Sequence, residues 1–251
     1  MVITCPYNTE LDLFFKQLVN ECIENYCSDL TLDHLRKIEL IEMSHYPNEG
    51  DAHFFFDEKK IIINSRLLNL FPTHDIKKLS ENDDFKQFIY SICHELYHVS
   101  DSVTYPNLYS IVSSTTNLWE ILSTLFWLEY LVEQKCHKRI GKTNCELYDQ
   151  FESINFCCTE FNTETCDTSN FFYLTKLLSY FVATIMWEKD GEKRLNNVKD
   201  RLLHDYIEEL ADELSKLDKL NSFDDPTQLY DLQKIMKKYC NKSTEKYTLF
   251  Y

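Results

Sequence analysis

Glycine and proline are scarce in this chain, with 3 glycines and 5 prolines among 251 residues. An average protein contains about 7% glycine and 5% proline. Because sandwiches and barrels need frequent turns between short strands, this shortage excludes an all-β fold. It favours long helices joined by short polar loops instead. The hydrophobic content of 44% is enough to bury a sizeable core.

Positive charge is also scarce. Lysine and arginine number 26 against 41 aspartates and glutamates, which gives a formal net charge of -15. A surface this acidic repels a phosphate backbone, and no cluster of basic residues along the chain offsets the average. We therefore expect no nucleic-acid partner.

Signals for export and for membrane insertion are missing from the sequence. Residues 1–15 lack the basic start and apolar run of a secretory signal peptide. The most lipid-like stretch, 171–187, contains Lys176 and Ser179 and is shorter than the roughly 20 apolar residues of a spanning helix. We expect a buried helix there, no membrane contact and a cytoplasmic protein.

The 10 cysteines form no CxxC pair and have no regular disulfide spacing. Without an export signal, reduced and mostly buried thiols are expected. A second, structural metal site stays open in the region 136–166, although its spacing fits no zinc-finger pattern. The residues crowded there are Cys136, His137, Cys145, Cys157, Cys158 and Cys166.

The first third of the chain mixes helical and strand patterns. Apolar residues at helical spacing predict an amphipathic helix over 8–27. Alternation over 36–43 predicts a strand, and two runs rich in aromatic and β-branched residues, 53–56 and 60–64, predict a hairpin. The sequence thus predicts three antiparallel strands before residue 65.

After this point the pattern is helical. Helices are predicted over 82–102, capped by Ser80 or Asn82, then over 113–140, closed by Gly141, and over 147–158, 170–188, 192–218 and 227–240. The predicted fold class is α+β and mostly helical: a small antiparallel sheet, then zincin-like helices and a C-terminal helical bundle. Residues 1–145 are expected to form the main domain. Residues 146–251 form a helical region that packs on it or continues it.

The helix predicted over 82–102 carries the motif His94-Glu95-Leu96-Tyr97-His98. Histidines four residues apart lie on one helix face, so both imidazoles can bind one ion, and Glu95 beside them can take a proton from a zinc-bound water. Apolar residues flank the motif on both sides. Because buried histidines and carboxylates are costly to desolvate without a partner, the pattern predicts a zinc site.

A catalytic zinc needs a third protein ligand and an open position for water. Glu129 lies in a strongly apolar stretch of the next predicted helix, where a carboxylate needs a partner or a metal. Glu133 and Glu120 remain alternatives, although a solvated helix face suits them better; Glu133 can also hydrogen-bond a metal-bound histidine. Asp101 lies too far along its own helix to join both histidines directly, and is expected near the ligands or at the helix end.

The hairpin, the motif and the segment Glu129-Tyr130-Leu131-Val132-Glu133 together resemble gluzincin-type metallopeptidases. More narrowly, they resemble the small intracellular metallopeptidases of the ImmA/IrrE kind and related phage- or prophage-encoded HExxH proteins. The resemblance covers roughly residues 35–140. It implies His94, His98 and Glu129 as zinc ligands and Glu95 as the general base.

Zincins generally hold an extended substrate along the strand beside the motif helix, which implies 60–64 or 53–56 here. An oxyanion-stabilising side chain is also implied, and the sequence leaves four candidates: Tyr130, Tyr173, Tyr180 and His204. The function predicted is therefore zinc-dependent hydrolysis of a protein or peptide substrate. Two alternatives stay open: a non-catalytic regulatory or interaction protein with a zinc-stabilised core, and a metal-free helical protein with an accidental motif.

Overall fold

The computed structural model describes residues 1–7, 9–41, 52–65, 68, 71, 73–141, 168–188, 191–198, 200–220 and 223–248. The chain divides into two compact units. The first contains Met1–Thr104 and Lys135–Leu147, and the second contains Tyr105–Gln134 and Tyr148–Tyr251. The helix predicted over 147–158, and the cysteines from Cys145 to Cys166, lie outside the described residues.

The sheet of the first unit has four strands. They are β1 (Val2–Thr4), β2 (Lys37–Ile41), β3 (Ala52–Phe55) and β4 (Lys60–Asn64), in the order β1-β2-β4-β3. Three of these were predicted as strands, and β3 and β4 form the predicted antiparallel hairpin.

The prediction of an all-antiparallel sheet is wrong. Strand β2 pairs with β4 in parallel, β1 adds in parallel to β2, and only β3 runs the other way. Alternating hydrophobicity indicates a strand but carries no information on which neighbour it pairs with or in which direction. The segment Ile61-Ile62-Ile63 is buried without alternation. Such a continuous run indicates a central strand that is covered on both faces.

Three helices complete the described part of the first unit before residue 105: α1 (Thr9–Tyr26), the short α2 (Ile76–Leu79) and α3 (Asp83–Thr104). Both α1 and β3 pack against α3. The Asn82 side chain accepts a hydrogen bond from the Phe85 amide at 2.8 Å, and Asp83 and Asp84 follow in the first turn. The predicted cap of the motif helix is therefore confirmed.

The helix predicted over 113–140 is α5 (Leu118–Arg139), and a helix that was not predicted, α4 (Pro106–Ser114), precedes it. The break occurs because Thr115 is extended and the Asn117 side chain accepts from the Trp119 amide at 3.1 Å, which starts a new helix. Gly141 adopts a φ of 84° and ends α5 as predicted. The part of α5 from Lys135 onward belongs to the first unit.

The second unit is helical throughout its described residues. Helix α6 (Thr168–Trp187) matches its prediction, and α7 (Gly191–Leu195), α8 (Arg201–Leu217), a 3-10 turn (Pro226–Leu229) and α9 (Tyr230–Thr248) follow. The single helix predicted over 192–218 is wrong, because Asp200 accepts from the Leu203 amide at 3.0 Å and begins α8. The described residues thus have an α+β, mostly helical fold, and they include no helix with the length and apolar character needed to cross a membrane.

Candidate metal centre

The HExxH residues lie in the most deeply buried part of α3. Ile92, Cys93, Leu96 and Val99 are fully inaccessible around them, and His94, Glu95 and His98 are themselves buried. This burial follows from the packing of α1 and β3 on the helix. The surroundings that the apolar flanks predicted for the motif are therefore confirmed.

His94 and His98 bring their Nε2 atoms to 3.1 Å of each other. The two rings meet edge to face, with centroids 4.8 Å apart. Two nitrogens bound to one tetrahedral zinc at roughly 2.0–2.1 Å would stand about 3.3 Å apart. The imidazole pair thus has the spacing of two ligands of a single ion, as the four-residue separation predicts.

Glu95 is only 5% exposed. No hydrogen bond or ion pair of its carboxylate occurs within the described part of the chain. Glu95 is next to His94 on α3, and neither of its carboxylate oxygens is among the fully buried polar atoms that lack a partner.

Asp101 is 4% exposed and forms an ion pair with Lys135, one turn before the end of α5. Burial raises the pKa of its carboxyl group, and Lys135 and His98 oppose that rise by electrostatic attraction. Its Oδ2 atom has no hydrogen-bond partner within the described residues. Of the two expectations for this residue, a place near the helix end is confirmed, because α3 ends at Thr104.

Glu129 lies on α5 within the second unit and is 7% exposed. The Tyr180 hydroxyl donates a hydrogen bond to its Oε2 atom at 2.8 Å, and the Lys176 ammonium lies 3.2 Å from its Oε1 atom. Both partners are on α6. The apolar stretch around Glu129 therefore contains a buried carboxylate with charged and hydrogen-bonding partners, as the sequence predicts for such a position.

The two alternative glutamates differ in their surroundings. Glu120 accepts hydrogen bonds from Thr115 at 3.0 Å and from Asn117 at 2.9 Å, so it serves the start of α5. Glu133, one turn after Glu129, is only 2% exposed. The expectation of a solvated helix face is therefore wrong for Glu133, which lies on the buried side of α5 with Tyr130 and Val132.

Three of the four candidates for an oxyanion-stabilising group contact carboxylates of the second unit. Tyr130 is fully buried and donates to Asp218 at 2.6 Å, Tyr180 donates to Glu129, and His204 lies 3.6 Å from Glu208 on the same helix. The side chain of Tyr173 lies outside the described residues. Burial and the Asp218 carboxylate raise the pKa of Tyr130, which keeps its hydroxyl protonated.

Sequence reasoning missed Lys176 and Tyr180 as partners of Glu129. The available signal was Lys176 itself, a charged residue in the middle of an apolar run, where it requires a carboxylate close by. The free cysteines, by contrast, match their prediction: Cys22, Cys27, Cys93 and Cys136 are buried and unbridged.

In comparisons with known proteins, no protein-family model, curated protein or solved structure matches this chain.

Proposed function

We propose that this protein is a zinc-dependent peptidase of the gluzincin type, with His94, His98 and Glu129 as zinc ligands and Glu95 as the general base. The observation that carries the proposal is the pair of buried imidazole nitrogens 3.1 Å apart, next to a buried glutamate that has no partner among the described residues. A core that merely tolerated two histidines would satisfy their neighbouring carboxylate as well.

The third ligand is chosen by burial and chemistry. His94, His98 and Glu129 are all buried, and the resemblance implies Glu129 as the third ligand. Two imidazoles and one carboxylate form a set that zinc binds in hydrolytic enzymes while keeping a position for water. Buried ligands also suit a bound ion, because their donor atoms then replace the water molecules that surround the ion in solution.

The chemistry would be divided between the ion and the chain. A bound zinc ion supplies a lowered pKa for its water and polarisation of the scissile carbonyl. Glu95 would accept a proton from the attacking water and donate it to the departing amine nitrogen, so that the amide bond would break without release of a high-energy amide anion. The apolar residues around α3 limit competing water and strengthen the electrostatic interactions within the site.

The substrate would bind along an edge of the sheet. Of the two strands that the resemblance implies, β4 is paired on both sides and offers no free edge, so 60–64 is excluded. Strand β3 is at the sheet edge and contacts α3. Of the two strands that the resemblance implies, β3 is therefore the one along which we propose that an extended peptide binds.

Substitution of the general base tests the mechanism. Glu95→Gln should lower the rate of peptide cleavage by roughly 100- to 10,000-fold, the usual contribution of general-base catalysis, and should leave zinc content unchanged. Glu21→Gln, on the exposed side of α1, is the matched control and should keep full activity. Cleavage by the Glu95→Gln protein at the wild-type rate would refute the mechanism. Zinc binding by a wild type that cleaves no member of a diverse peptide library would favour a non-catalytic, zinc-stabilised interaction protein.

A further inference from the structure

Two side chains of α6 hold the two oxygens of the Glu129 carboxylate. Lys176 and Tyr180 are four residues apart and therefore lie on one face of the helix. The Lys176 ammonium approaches Oε1 at 3.2 Å, and the Tyr180 hydroxyl donates to Oε2 at 2.8 Å. The same ammonium lies 5.8 Å from the centre of the Tyr180 ring. The carboxylate is thus bound by one neutral donor and one positive charge.

We propose that these two residues set the metal affinity of Glu129 in opposite directions: Tyr180 positions the carboxylate for the ion, and Lys176 competes with the ion for it. This inference rests on the proposed function, because it takes Glu129 to be a metal ligand. It assigns roles to two residues of α6 that the HExxH motif does not contain.

Tyr180 acts by orientation. A carboxylate has about four lone-pair positions on two oxygens, so a hydroxyl that donates to Oε2 fixes the plane of the group and occupies only one of these positions. A ligand already held in its binding geometry loses less conformational freedom when the ion arrives. Partners of this kind usually change metal affinity by roughly 10- to 100-fold when they are removed.

Lys176 acts by charge. Its ammonium neutralises Glu129 when no cation is bound, and a divalent ion on the same carboxylate is repelled by it. The lysine side chain is 37% exposed, so the ammonium can turn toward water when an ion takes its place. The cost of that displacement is the free energy of a partly exposed ion pair, which corresponds to about a two- to fivefold weakening of metal binding.

The second unit contains a matched control. Tyr239 donates to Glu209 at 2.8 Å, and Lys238 pairs with the same glutamate. Glu209 therefore has the same two kinds of partner as Glu129, in a different helix pair. Variants of Tyr239 and Lys238 remove the same chemical groups without touching the proposed ligand.

The experiment measures zinc affinity of the full chain by competition with a chromophoric chelator. Tyr180→Phe should weaken zinc binding by roughly 10- to 100-fold, and Lys176→Met should strengthen it by about two- to fivefold. Lys176→Arg keeps the charge and should match the wild type, as should Tyr239→Phe and Lys238→Met. In a Glu129→Ala background, neither Tyr180→Phe nor Lys176→Met should change the residual affinity.

The outcomes separate this inference from the proposed function. A wild type that binds no zinc refutes the zinc site itself. A wild type that binds zinc, with Tyr180→Phe and Lys176→Met both within twofold of it, refutes only the roles assigned here. Weaker binding in both variants overturns the competition assigned to Lys176. Thermal unfolding of each variant without metal shows whether the variant still folds. The absorption spectrum of the same variant after cobalt(II) is added shows whether the ligand geometry has changed.

Discussion

Lys135, one turn before the end of α5, forms an ion pair with Asp101, near the end of α3. The two residues differ in burial: the aspartate side chain is 5% exposed and the lysine side chain 35%. The carboxylate therefore depends on a single partly exposed cation for compensation. Because both residues belong to the first unit, this pair ties the end of α5 to the helix that carries the HExxH motif.

Lys135→Met should destabilise the protein at neutral pH, because it leaves the Asp101 carboxylate buried without its cation. Loss of one partner of a buried pair costs about 3–5 kcal/mol, and the exposure of Lys135 reduces the expected loss to about 2 kcal/mol. Urea unfolding at pH 7 measures it. Lys16→Met, which removes an exposed pair with Asp12, is the control and should change stability by less than about 0.5 kcal/mol.

The penalty in Lys135→Met should depend on pH with a definite sign. Burial raises the pKa of Asp101, so the folded protein holds this proton more tightly than the unfolded chain does. The contribution of this group to stability therefore falls as pH rises from the ordinary aspartate pKa through the raised one. Removing Lys135 should raise the pKa of Asp101 further. The difference in stability between the variant and the wild type should therefore shrink below pH 4, where the Asp101 carboxyl is protonated in the folded state of both proteins. A difference that stays constant from pH 3 to pH 7 would contradict this account.

Asn117→Ala should destabilise the second unit by about 1 kcal/mol, because the Asn117 side chain caps α5 through the Trp119 amide. Asn117→Asp keeps the acceptor for the Trp119 amide but places a carboxylate beside Glu120, so it should recover part of the stability that the alanine variant loses. Thermal unfolding followed by circular dichroism gives both values. Equal stability of the alanine and aspartate variants would show that the break between α4 and α5 does not depend on this cap.

Cobalt(II) in place of zinc reports which ligands are used. Besides the proposed set, Glu133 and Cys136 are buried three residues apart on α5 and form a second group that could hold an ion. Two imidazoles and a carboxylate give weak visible bands alone, whereas a thiolate ligand adds an intense charge-transfer absorption in the near ultraviolet. We expect no charge-transfer band and an unchanged spectrum for Cys136→Ser. A strong band that is lost in this variant would show that the ion binds to the second group instead.

The parts of the molecule that sequence predicted well are those fixed by local patterns. The motif helix α3 follows from apolar periodicity, from Asn82 as a cap and from two aspartates in the first turn. The β3–β4 hairpin follows from two strand-like runs joined by a short polar turn. In both cases the determining residues are within a few positions of each other.

The features that sequence missed depend on residues far apart along the chain. Strand β2 selects β4 as a parallel neighbour across the sheet. The start of α4 is capped by Asp224, which accepts from the Asn107 and Leu108 amides at 3.0 Å from more than 100 residues away. Lys176 and Tyr180 reach Glu129 across about 50 residues. A single sequence carries no direct record of such pairings, so the ligand candidates could be ranked but their partners could not.

Zinc content measured by elemental analysis of the purified protein tests the central claim most directly. We expect one zinc ion per chain in the wild type and in Glu95→Gln. In both His94→Ala and Glu129→Ala, zinc should be lost while the metal-free proteins remain folded. Zinc retained at one equivalent in His94→Ala, or absent from a folded wild type supplied with zinc at neutral pH, would contradict this claim.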